Sequence, residues 1–172
     1  MPYFLIFIGV ILRFLPHPAN FAPIAALGLF GGTYLNRKLA VVLPLAAMVV
    51  SDIFIGFDSF SSRASVYGSF IAIGLIGMWL KNHKSVGNVA GASLFSSVLF
   101  YTVTNFVYFY PPTMYTHDMN GLVASYINAL PFFRMTLLGD LFYVAMFFGI
   151  YEFVHHRVLQ KARAQTTTPV SL

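Results

Sequence analysis

Three ionisable residues set in otherwise apolar sequence, Arg13, Asp52 and Asp140, are the first candidates for chemistry in this chain. A charged side chain near the centre of a lipid bilayer costs roughly 2.5–3.5 kcal/mol on insertion scales, so such residues normally face a partner or an aqueous cavity. Two stripes extend the set. Ser97, Tyr101, Thr104, Asn105 and Tyr108 follow i, i+4, i+7 spacing, and Thr136, Asp140 and Tyr143 repeat it further along. The run Pro16-His17-Pro18-Ala19-Asn20 interrupts the first apolar stretch, so that free backbone groups and the positive end of the next helix fall at the depth of Arg13. These residue types suit the capture of a small polar molecule. Arg13 or Arg134 would clamp a carboxylate or phosphate, and Asp52 and Asp140 would accept from amino or ring N–H groups. Asn20 and Asn105 would read polar edges, and Tyr108 would stack on a planar ring.

Plainer roles compete with these. Intramembrane Asp and Arg also pair simply to hold helices together, and Arg13 with Asp52, or Arg134 with Asp140, would be such pairs. Tyr101 and Tyr108 suit packing or an interfacial belt as well as a ligand contact. Asp58 and Ser59 read as helix N-caps, Asp118 and Asn120 as turn residues, and His155-His156 as interfacial. His17 and His117 lack the close ligand spacing of a metal site, so no metal and no cofactor is expected. The chain has no cysteine, no H-E-x-x-H motif, no Walker A pattern and no evident nucleophile–base pair, which argues against an enzyme.

The elements that must position these residues are apolar throughout. Of 172 residues, 58% are hydrophobic and only 9% charged, against roughly 25% charged in an ordinary soluble domain. Apolar segments at 3–15, 21–35, 39–57, 64–80, 89–110 and 136–154 predict an all-α polytopic membrane protein with six transmembrane helices. They form one domain over 1–163, with 164–172 as a disordered cytoplasmic tail. A further stretch, 122–133, is interrupted by Asn128 and Pro131 and reads as an interfacial or re-entrant lead-in to the last helix.

Charge gives an independent test of that count. Basic residues collect on the cytoplasmic side of membrane helices. Asn36-Arg37-Lys38, Lys81-Asn82-His83-Lys84 and His155-His156-Arg157 with Lys161 and Arg163 follow alternate segments, so seven of the ten Lys and Arg residues fall on one side. Both termini then lie inside. The net charge of +5 is explained by orientation in a bilayer, and nucleic acid is not an expected partner. Small-residue pairs at Ala22 and Ala26, Gly28 and Gly32, and Gly87 and Gly91 predict close helix packing.

The stretch "ILRFLPHPANFAPIAALGLFGGTYLNRKLAVVLPLAAMVVSDIFIGF" resembles the opening half of the substrate-binding S components of energy-coupling factor (ECF) vitamin transporters. The matching positions are Pro16, Asn20, Pro23, Ala26-Leu27, Phe30-Gly31-Gly32, Pro44-Leu45-Ala46 and Ser51-Asp52. Later stretches, "TNFVYFY" from Thr104 and "GLVASYINALPFFRMTLLGDLFY" from Gly121, look like an uncharacterised bacterial membrane-protein family related to that group. The resemblance implies six helices with both ends inside, a site near the outer surface closed by loops, and location in the bacterial inner membrane. It also implies uptake of a small water-soluble nutrient, a vitamin or cofactor precursor, with an ECF coupling subunit and ATPases as partners. Helix one departs from the pattern. S components usually carry an A-x-x-x-A surface there, and residues 5–15 contain no alanine, which leaves a solitary ion- or proton-coupled carrier open beside a different docking surface. A non-transporting membrane scaffold is the remaining alternative.

Overall fold

Short polar residues at the loop ends set where several helices begin. The side chain of Asn36 accepts from Leu39 N at 2.9 Å, Ser59 from Ser62 N at 3.2 Å, and Ser85 from Asn88 N at 3.1 Å. Each satisfies one of the backbone donors a helix leaves unpaired in its first turn. The computed structural model describes residues 1–166 apart from His17, Ala19, Phe57 and Asp58. Helices α1 (Pro2–Phe14), α2 (Ile24–Tyr34), α3 (Arg37–Ile55), α4 (Phe60–Leu80), α5 (Val86–Thr104) and α6 (Met119–Thr166) follow one another, with a 3₁₀ turn at Val107–Phe109. Among the described residues there are no strands. The expected cap at Asp58, the pairing of His17 with His117 and the tail beyond residue 166 lie outside the described residues, while Ser59 caps α4 as expected.

α2 is the hub. Its sequence IAALGLFGGTY has no polar face, and a helix that is apolar all round belongs inside other helices. Every residue from Ile24 to Thr33 is buried, and α1, α3, α4, α5 and α6 all pack against it. Glycine makes the α2–α4 crossing close. A Cβ added at Gly32 would sit 2.4 Å from the carbonyl oxygen of Gly74, and one at Gly77 would sit 2.5 Å from that of Leu29. Thr33 Oγ1 lies 3.1 Å from Gly77 O, tying the same two backbones together. Phe30 fills the space toward α6, against Phe147, Phe148 and Tyr151. The other small-residue pair differs, because a Cβ at Gly87 or Gly91 would meet nothing within 4 Å.

The outside of the bundle is apolar. Phe54 is 77% exposed, Phe60 81% and Val86 90%, and such residues recur on α1, α3, α4, α5 and α6. Soluble monomers rarely carry so much uncovered apolar surface, whereas a bilayer covers it without cost. Three helices, α4, α5 and α6, are long and apolar enough to cross a membrane. α1 and α2, at 13 and 11 residues, are shorter.

α6 differs from the sequence expectation. Segment 122–133 and the last apolar segment are not separate elements but parts of one helix of 48 residues, about 72 Å long at 1.5 Å per residue. Pro131 lies inside it. The helix runs through the proline, and α5 holds the turns before it. Tyr101 Oη donates to Tyr126 O at 2.7 Å, Tyr126 Oη to Thr102 O at 2.7 Å, and Ser125 Oγ to Asn105 O at 2.9 Å. Neighbouring hydroxyls thus hold a backbone whose own ladder the proline interrupts. α5 in turn stops at Thr104 rather than running to residue 110.

Candidate functional site

Arg13 occupies the last turn of α1, and Asp140 lies on α6 one turn beyond Thr136. The fold brings them to the wall of one cavity of 270 Å³, with Asn20 from the α1–α2 connection, Ile24 and Ala25 from α2, Met48 from α3, Val66 and Phe70 from α4 and Phe100 from α5. All six helices contribute. The cavity is therefore formed by tertiary packing, and its wall is complete only when the whole bundle has assembled. Asn20 has φ 63°, a left-handed conformation that asparagine tolerates better than most residues, and it turns the chain from the end of α1 into α2. The following residue anchors that connection to α6. A Cβ at Gly139 would lie 3.1 Å from Phe21 Cα, and the Phe21 ring packs on Phe142 and Tyr143.

A second cavity of 200 Å³ adjoins the first and shares Asn20, Phe100 and Thr136 with it. Tyr101, Thr104, Asn105, Tyr110, Ala129, Phe132 and Phe133 complete its wall. Asn105 is the C-cap of α5, with its Nδ2 donating to Tyr101 O at 2.8 Å. Tyr110 Oη donates to Thr104 O at 2.9 Å and covers the same helix end.

The two charged residues of the first cavity are satisfied to different degrees. Arg13 reaches Asp52 through a single Nη2–Oδ1 contact of 3.4 Å, and Tyr67 Oη donates to the other carboxylate oxygen of Asp52 at 2.5 Å. Arg13 Nε is buried with no hydrogen-bond partner among the described residues. Asp140 is 3% exposed and accepts from Ser97 Oγ at 2.6 Å. Among the described residues no Lys, Arg or His lies within ion-pair distance of it. A cation with an unused donor and a carboxylate without a cation therefore face one space.

The seven residues singled out from the sequence divide. Arg13, Asn20 and Asp140 line the first cavity, and Asn20 and Asn105 the second. Asp52 lines neither, but holds Arg13. Arg134 is exposed and lines neither cavity, because six residues on a helix place it about 120° round from Asp140. The alternative pairing of Arg134 with Asp140 is replaced by the Ser97 hydrogen bond. Tyr108 lies beyond the end of α5 in the 3₁₀ turn, 58% exposed, against the rings of Phe106 and His117. The stripe on α5 therefore ends at Asn105. Phe70 and Phe100 carry no polar signal in the sequence, whereas Thr136 belongs to the stripe of Thr136, Asp140 and Tyr143. Phe100 was legible in principle, since it lies three residues from Ser97 and four from Thr104, whereas nothing polar on α4 points to Phe70.

A second polar cluster lies at the opposite end of α2. Glu152 of α6 accepts from Tyr34 Oη and from Lys84 Nζ, each at 2.5 Å, and His156 Nε2 is 4.0 Å from its other oxygen. It joins the end of α2, the α4–α5 connection and α6, and it is remote in sequence from every residue of the two cavities.

The fold and site together define a class: an all-helical protein with helices long and apolar enough to cross a membrane, and a mixed-charge cavity enclosed among them. The chain belongs to DUF6580, a family of unknown function, which it matches over residues 1–165. No curated protein and no solved structure matches it.

Proposed function

We propose that this protein is a membrane-embedded substrate-binding subunit for uptake of a small water-soluble nutrient, with six membrane crossings and both ends in the cytoplasm of a bacterial cell. The observation that carries the reading is that Arg13 and Asp140, on the first and last helices, face one cavity walled by all six. Structural pairing alone would need no cavity between them, and charged groups in a membrane helix are retained at a cost that a bound ligand offsets. An energising module of the ECF type is the partner that the sequence resemblance suggests. The outward face of α1, with Phe4, Phe7 and Ile11 exposed, is apolar but not built of alanine.

The experiment is purification in mild detergent followed by native mass spectrometry. A retained small molecule, lost when Asp140 is changed, supports the reading, and accompanying ATPase subunits identify the energy source. A folded wild-type protein that retains nothing and binds none of a broad nutrient panel overturns it. The absence of a cation within ion-pair distance of Asp140 among the described residues favours one second reading, a solitary carrier in which that carboxylate binds and releases a proton or other cation during transport. Uptake into proteoliposomes containing this chain alone, driven by a pH gradient, distinguishes it from the first.

A further inference from the structure

The walls of the first cavity specify more than a small polar nutrient. Resting on the importer reading, we infer that the ligand is amphoteric: an anionic group meets Arg13, a protonated amine meets Asp140, and an apolar body packs on Phe70 and Phe100.

Four observations lead there. Arg13 is held to Asp52 by one long contact rather than by the two-pronged fork that arginine forms with a carboxylate at full strength. Its Nε is buried without a hydrogen-bond partner among the described residues, so the guanidinium is undersatisfied and gains from a second anion beside Asp52. Tyr67 fixes the far oxygen of Asp52, which keeps that carboxylate on its own side of Arg13. Asp140 is buried with one neutral donor, Ser97, and no cation within ion-pair distance among the described residues. A buried carboxylate so placed gains most from a ligand that brings positive charge, and the buried guanidinium gains most from one that brings negative charge. A molecule with both groups satisfies the two at once.

Size and wall chemistry narrow the class. A cavity of 270 Å³ lies at the small end of ligand sites, which run from about 300 to 1,000 Å³, and suits a small amino acid or a compound of that scale. Apart from Arg13, Asp140, Asn20 and Thr136 the wall is apolar, with Ile24, Met48, Phe70 and Phe100 its largest side chains, which favours an aliphatic or aromatic body over a polyhydroxylated one. The adjoining cavity, reached past Asn20 and Thr136, offers hydroxyl and amide groups to any polar extension.

The test uses three probes that share a body and differ in charge: L-phenylalanine carries both groups, phenethylamine only the amine, and 3-phenylpropanoate only the carboxylate. Binding to the purified full-length protein is measured by thermal shift and equilibrium dialysis. The expected result is binding of phenylalanine at least about tenfold tighter than either single-charge analogue, because each analogue leaves one buried group without its partner. Arg13→Gln should erase the gap between phenylalanine and phenethylamine, and Asp140→Asn the gap between phenylalanine and 3-phenylpropanoate. Equal or tighter binding of a single-charge analogue to wild type overturns the inference and leaves the importer reading standing, as does a gap that survives both substitutions. Failure of all three probes and of a broad nutrient panel, together with no small molecule retained through purification, overturns the importer reading itself. If the probes fail but a retained molecule is found, its charge decides: one carrying both an acidic and a basic group upholds the inference, and one carrying a single sign overturns it.

Discussion

Ser97 donates to Asp140 across the α5–α6 interface at 2.6 Å, and this neutral hydroxyl is the carboxylate's one hydrogen-bond partner among the described residues. The contact holds the side chain at the cavity wall without neutralising it. A structural ion pair would do the opposite.

Asp140→Asn tests that difference. The amide keeps an acceptor for Ser97 and removes the buried charge, so the thermal midpoint in detergent is expected to stay level or rise by a few degrees. Retention of any copurifying small molecule is expected to fall at least about tenfold. A large drop in stability with unchanged retention, read by unfolding and native mass spectrometry on the same sample, contradicts a ligand-facing role.

Arg13 and Asp52 should behave as a coupled pair. Asp52→Asn removes the anion that Arg13 contacts, and Arg13→Gln removes the cation from the Asp52 carboxylate to which Tyr67 also donates. Each single change is expected to destabilise by about 1–3 kcal/mol, and the double variant by clearly less than their sum. Strict additivity in a double-mutant cycle would mean that the 3.4 Å contact contributes nothing.

Much of this arrangement was legible in the sequence, and the failures have physical causes. The uninterrupted apolar run from Ile24 to Gly32 announces a buried helix, and the fold makes α2 its hub. Arg13, Asp52 and Asp140 stand out in the sequence as charges at one depth in apolar runs; Arg13 and Asp140 line one cavity with Asn20, and Asp52 contacts Arg13 instead. Arg134 and Tyr108 were drawn in by proximity along the chain. Helix phase turns Arg134 outward, and α5 ends before Tyr108, with Asn105 capping it. Pro131 suggested a break that local sequence cannot overrule, because the hydroxyls that brace α6 come from α5 and from Ser125 and Tyr126 on α6 itself. Phe70 is invisible for a related reason. A wall residue on an apolar helix looks like any core residue until the neighbouring helices are in place.

At the start of α6 a pH dependence is expected. Asp118 Oδ1 accepts from Gly121 N at 2.8 Å and from Thr116 Oγ1 at 2.8 Å, and these hydrogen bonds hold its carboxyl below the usual carboxylate range, the Gly121 amide most of all. A group whose folded value is depressed stabilises the fold above its unfolded value and loses that contribution as pH falls through the folded value. Asp118→Ala should therefore fray the first turn of α6 at neutral pH. Its difference from wild type, followed by amide exchange at Gly121 and Leu122, should close as the medium is acidified below the carboxylate range. A difference independent of pH would assign the effect to something other than the ionised cap.

The glycine pairs make the sharpest contrast, because the same substitution should have opposite signs on two faces. An alanine Cβ at Gly32 would sit 2.4 Å from Gly74 O and 2.7 Å from Gly77 Cα, atoms of a helix backbone that cannot step aside alone. Gly32→Ala must then separate α2 from α4 and strain the Thr33 contact to Gly77, with an expected loss of about 1–3 kcal/mol. At Gly91 a Cβ meets nothing within 4 Å, and Gly91→Ala gains helix propensity worth up to about 1 kcal/mol. Thermal unfolding of the two variants in the same detergent decides the matter. Because α2 also supplies Ile24 and Ala25 to the cavity wall, Gly32→Ala should weaken ligand retention from a distance while Gly91→Ala leaves it intact. Equal stability of the two variants would mean that the α2–α4 crossing is looser than its backbone contacts require.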